Sequence, residues 1–148
     1  MSAIDFQQQI DEIAALLERL RKSDVGGVVI TYTPTYQGGT IGGATTYAFQ
    51  AGEYVRYDDM VVAKGQINWS AATGTGEARF SLPIAAVGGN GSGGVYISGV
   101  TFTNNTPGIL VSGGNTYFTL TSPLTNAAGA VVQMEAVGSI IFTVIYFV

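Results

Sequence analysis

The ten residues Ser139–Val148 alternate like a strand, yet both alternating sets are apolar. Ile140, Phe142, Val144, Tyr146 and Val148 fall on one side of an extended chain, and Ile141, Ile145 and Phe147 on the other, because successive side chains of a strand point to opposite faces. A strand that is apolar on both faces has to be covered on both. One side meets the core of a β domain. The other requires a second layer, which a neighbouring copy of the chain would supply.

Most of the chain from Val28 onward shares the period of two. The pattern predicts strands over Val28–Thr33, Thr45–Gln50, Glu53–Tyr57 and Met60–Ser70, with turns at Ala51-Gly52 and Asp58-Asp59 and a loop over Pro34–Gly43. In Met60–Ser70, Val61, Ala63, Ile67 and Trp69 take one face, with Gly65 among them, and Lys64, Gln66, Asn68 and Ser70 the other. Further strands are expected at Glu77–Ile84, with Ala78, Phe80, Leu82 and Ile84 inward, and at Val95–Thr103, Ile109–Ser112 and Thr116–Thr121. Gly88–Gly94 reads as a loop and Asn126–Gly129 as a turn. Eight or nine short strands with glycine-rich turns predict a β-sandwich or jelly roll over residues 26–148.

Residues 1–25 read differently. Phe6, Ile10, Ile13, Leu17 and Leu20 recur at the coiled-coil spacing of about 3.5 residues. Ser2 with Asp5 fits a capping box, and Arg19, Arg21 and Lys22 suit the negative end of the helix dipole. Ile at both Ile10 and Ile13 favours three strands or more over two. The alternative is one helix packed on its own β domain. The expectation is a helix that zips three subunits together, with Gly26-Gly27 ending it.

Low charge fits both a surface of Ser, Thr, Asn and Gly and a surface covered by other subunits, and the two together are expected. Only 11% of the 148 residues are charged, less than half the usual ~25%. From Phe80 to Val148 the only formal charge is Glu135. A net charge of −4 argues against a nucleic-acid partner, which demands clustered Lys and Arg. The N-terminus lacks the basic start and apolar core of a signal peptide. Ile140–Val148 is too short for a membrane helix, which takes ~20 residues, so no membrane insertion is expected.

The residues leave little room for catalysis. The chain has no His and no Cys, which removes the commonest general base, the commonest metal ligand and any thiolate site. The carboxylates Glu53, Asp58, Asp59, Glu77 and Glu135 could form a hydrolytic pair, but Asp58-Asp59 sits at a predicted turn, where Asp is favoured for backbone reasons. That pair also lacks the spacing of a known calcium loop. Gly88–Gly94 has no following Lys-Ser/Thr and no helix, so it is no phosphate cradle. No catalytic residue, metal or cofactor is assigned. The eight tyrosines with Trp69 could offer a sugar-binding platform.

Two stretches, Gly52-Glu53-Tyr54-Val55-Arg56-Tyr57-Asp58-Asp59-Met60-Val61-Val62 and Gly76-Glu77-Ala78-Arg79-Phe80-Ser81-Leu82-Pro83, precede the closing apolar strand. Together they resemble the β domain of small bacteriophage virion proteins: trimeric capsid decoration (cement) proteins, head fibres and tail-fibre tips. The similarity spans residues 44–148. That family often has Gly before the Asp or Asn of the tight turn, where this chain has Tyr57. The resemblance implies a non-enzymatic homotrimer with a jelly-roll-like β domain and a helical stalk. On this reading Phe6, Ile10, Ile13, Leu17, Leu20, Ile141, Ile145 and Phe147 form the trimer interface. The expected partners are two further copies and a major capsid protein, on the outer capsid surface. The alternative is the receptor-binding tip of a tail fibre that recognises host-surface glycan.

Overall fold

The structure, a computed structural model, describes residues 8–16, 27–102, 107–124 and 127–148. A helix, α1, occupies residues 8–16. Ten strands follow among the described residues: β1 (Ile30–Tyr32), β2 (Tyr36–Gly38), β3 (Thr45–Tyr57), β4 (Met60–Ala72), β5 (Ala78–Ser81), β6 (Gly91–Ser98), β7 (Gly108–Val111), β8 (Tyr117–Leu124), β9 (Ala127–Val131) and β10 (Gly138–Phe147). They form one sheet in the order β1-β3-β4-β10-β6-β7-β8-β5-β2, with β9 alongside β8. The pairings are antiparallel. The expected mainly β chain is therefore observed, as one continuous sheet that curls over on itself.

Aromatic packing explains the curl. Trp69 on β4 stacks near Tyr36 on β2 with ring centroids 4.3 Å apart. Tyr36 then meets Phe80 on β5 at 5.0 Å, Phe80 meets Phe118 on β8 at 5.1 Å, and Phe118 meets Phe142 on β10 at 4.8 Å. β4 and β10 are neighbours in the sheet, whereas β2, β5 and β8 lie at its far end. The rings thus bridge the inside of the curl, and each contact adds to the area it removes from water. Around them Val61, Ala63, Ile67, Ile140, Val144 and Tyr146 are buried, so the alternation read in Met60–Ser70 and Ser139–Val148 places the core correctly.

Side chains close what strand pairing leaves open. β2 is an edge, and unpaired edges expose backbone donors and acceptors. The Tyr36 N–H donates to the Tyr47 hydroxyl at 2.9 Å, and the Thr45 hydroxyl donates to the Tyr36 carbonyl at 2.9 Å, both from β3. The Tyr36 hydroxyl accepts from the Glu135 N–H at 2.7 Å, and Trp69 Nε1 donates to the Glu135 carbonyl at 3.0 Å. The segment before β10 is thereby pinned to the core.

Several boundaries differ from expectation, for definite reasons. Ala51-Gly52 is no turn: β3 runs straight through it, with Gly52 opposite Gly65. A Cβ at Gly52 would lie 2.5 Å from the Tyr32 ring, so this glycine admits a ring instead of bending the chain. β2 lies inside the predicted loop Pro34–Gly43, and β6 begins at Gly91 inside the predicted Gly88–Gly94 loop. A Cβ at Gly91 would meet the Ile145 carbonyl oxygen at 2.5 Å, so this residue permits close approach to β10. β9 starts at Ala127, within the predicted Asn126–Gly129 turn. The Asp58-Asp59 turn is present, with Asp58 at φ 51°. That is a left-handed conformation which Asp tolerates through local hydrogen bonding.

The coiled coil is not supported by the described residues. α1 covers nine positions, less than the three to four heptads that argue for such a seam. Its residues Ile10 and Ile13 are exposed. Phe6, Leu17 and Leu20 lie outside the described residues. Among the described residues no helix is long and apolar enough to cross a membrane.

Two outcomes test the core. Phe142→Ala removes one ring from the bridge and should lower stability by about 3–5 kcal/mol in chemical denaturation. Burial pushes the Tyr36 and Tyr146 hydroxyls from the ordinary 10.0 up to about 12. It also raises that of Tyr32, whose buried hydroxyl has no hydrogen-bond partner among the described residues. The folded chain then holds these protons more tightly than the unfolded one. Stability should be fully present below pH 10 and fall as pH rises from there through about 12. Denaturation midpoints that stay level across that window would contradict the burial of these hydroxyls.

Candidate interaction surface

The register of the central strands builds the outer face row by row. On β10, Ile141 stands opposite Gln66 of β4 and Tyr96 of β6, and Ile145 opposite Val62 and Ser92. Phe147 stands opposite Met60, which itself faces Tyr57 of β3. Val62 in turn faces Val55. Because side chains alternate, these rows point away from the aromatic bridge.

Exposure follows the same alternation. Val144 and Tyr146 are 0% and 1% exposed, whereas Ile145 and Phe147 between and beyond them are 46% and 47% exposed. Ile141 is 47% exposed. Small residues on β6 leave this face open: Ser92 and Gly94 stand opposite Ile145 and Thr143. The three β10 residues assigned to an interface from sequence are thus brought together on one bare face. Ile10 and Ile13 sit on α1, and the remaining three candidates fall outside the described residues.

Sequence reading missed Tyr96, Phe49, Val55 and Val62 as members of this face. Tyr96 is 67% exposed and extends the Ile141 row onto β6. The parity of β4 carried part of the signal, since Val62 shares the outward set with Lys64, Gln66 and Asn68. Exposed Val29, just before β1, approaches the face, whereas Ile30 stands opposite Tyr54 in the row of the buried Ala63. Val29 lines a small pocket with Val55 and Val62.

A groove of about 440 Å³ crosses the face. Thr31, Glu53, Lys64 and Thr143 form one bank, and Gln66 and Ile141 belong to the other. Lys64 Nζ lies 3.0 Å from Glu53 Oε2, a solvent-exposed pair. Such pairs contribute at most about 1 kcal/mol to a single chain's stability.

The other carboxylates are dispersed. Glu77 accepts from Arg79 Nε at 2.7 Å, and the Arg79 guanidinium lies 4.2 Å from the Tyr117 ring centroid. Asp58 and Asp59 form the β3–β4 turn. Glu135 contributes its backbone to the core hydrogen bonds described above. Among the described residues no three acidic, His or Cys side chains group to hold a metal ion. Comparison with protein-family models, curated proteins and solved structures finds no match.

The face predicts a sharp contrast between adjacent residues. Val144→Asp places a charge in the core and should abolish folding, because a buried unpaired carboxylate is costly. Ile145→Asp should leave far-UV circular dichroism and the cooperative unfolding of the single chain close to wild type. Equal loss of structure in both variants would show that the outer row is covered from within the chain.

Proposed function

We propose that this chain is a structural protein of a bacteriophage particle. It works as a homotrimer with a jelly-roll-like head, and it clamps or decorates the outer capsid surface as a cement protein or head fibre. Its contacts are with further copies of itself and with the major capsid protein, and its role is mechanical, not enzymatic. The single observation that carries this reading is the outer row of β10. Ile141, Ile145 and Phe147 are nearly half bare on β10, an interior strand of the sheet. Apolar surface in a contiguous patch marks an interaction site. The scarcity of charge after Phe80 fits a surface shared with other subunits.

The receptor-binding alternative has one observation of its own, the exposed Tyr96 ring, which could stack on the apolar side of a sugar. Copy number separates the two readings: hundreds of copies per particle mean capsid decoration, and a few dozen or fewer mean a tail tip.

Mass measured in solution by light scattering should equal three chains. A chain that stays monomeric at high concentration would remove the reading. Replacing Ile145 and Phe147 together by Asp should weaken the trimer without unfolding the sheet, because both are exposed on the outer row of β10. An unchanged assembly would show that this row takes no part in it.

A further inference from the structure

We infer that the outer face of β3, β4, β10 and β6 docks on a second copy of this chain, and that Glu53 and Lys64 orient the contact by pairing between copies. This deepens the homo-oligomeric reading above and rests on it. Three charged residues occur in these four strands: Glu53, Arg56 and Lys64. Arg56 stands opposite the inward-facing Val61 at the hairpin end, which leaves Glu53 and Lys64 as the charges of the outer rows.

Charge is the first argument for a second copy as the occupant. An acid and a base lie side by side on a face that is otherwise apolar, hydroxyl or amide. A surface of zero net charge can meet its own copy without like-charge repulsion. Neighbouring opposite charges can also exchange partners, Glu53 of one copy meeting Lys64 of the next. A ring of three copies would then alternate acid and base around its axis. A capsid or receptor surface has no reason to match this pair.

Area is the second argument. Phe49, Tyr96 and Phe147 are each about half exposed or more. At 150–250 Å² per aromatic side chain they leave roughly 300 Å² bare. Ile141, Ile145 and the flanking valines extend the patch toward the ~800 Å² per copy of a standard stable interface. The groove between the two rows supplies relief that a neighbour's side chain can fill.

The test uses the full chain and measures self-association by analytical ultracentrifugation. Glu53→Lys gives every copy two bases on this face, and Lys64→Glu gives every copy two acids. Each variant alone should dissociate, with a dissociation constant raised about tenfold or more. Mixing the two should restore assembly. Gly94→Arg provides an independent arm, because a Cβ at Gly94 meets nothing within 4 Å. A single chain accepts the arginine, but a copy seated on the face does not, so assembly should be lost while the fold stays intact. If the wild type assembles and all three variants assemble equally well, this docking face is wrong and the oligomeric reading stands. A monomeric wild type overturns both.

Discussion

The bridge of rings from Trp69 through Tyr36, Phe80 and Phe118 to Phe142 is the interaction on which the rest of the structure depends. A flat sheet of ten strands would expose both faces to water. Pulling β2, β5 and β8 against β4 and β10 buries one face of each and commits the parity of every strand in between. Once Phe142 points inward, Ile141 and Thr143 must point outward. The apolar outer row of β10 is therefore a direct consequence of how its inner row packs, and no one-residue shift could hide both.

Legibility in the sequence followed the strength of this coupling. Met60–Ser70 and Ser139–Val148 were readable because their alternation is long and their inward residues large, and both were placed with the correct faces. Short elements were not. β2 has three residues, Tyr36, Gln37 and Gly38, too few to show a period. It exists because Tyr36 fits between Trp69 and Phe80, a contact between distant segments. Glycine misled in a consistent way. Gly52 and Gly91 lie in strands, where each makes room for a ring or a backbone, yet the same residue type signals turns when only neighbours in sequence are visible; Gly65, set in a long alternating run, was placed correctly in its strand. The outer face was half legible. Ile141, Ile145 and Phe147 stood out, while Tyr96 lay between the apolar Val95 and Ile97, which gave no hint of which face it takes.

The sheet's edges bear on what the face is for. β2 is sealed by Tyr47 and Thr45, whereas the opposite edge is apolar, with Ile30 on β1 and Val28 and Val29 just before it exposed. A chain that guards one edge with side-chain hydrogen bonds while leaving the other apolar is asymmetric in its stickiness. Bare apolar edges are aggregation sites unless another surface covers them. The edge adjoins the outer row of β3, with β4 next beyond it, so one neighbour can cover edge and face together.

Magnitudes decide how such an assembly would hold. Fully burying an Ile or Phe gives about 1.5–3 kcal/mol, so five half-bare side chains offer roughly 5 kcal/mol per copy as an upper figure. Association of two bodies costs an estimated 4–15 kcal/mol or more in lost freedom. A face-to-face dimer built on this patch alone is therefore marginal. A ring of three built on the same patch does not change the balance, since each copy buries its face once: three faces are covered for two losses of free motion, against two faces for one in a dimer. Further area has to come from beside the patch, and the exposed Val29 next to the β1 edge supplies some where a neighbour covers edge and face together.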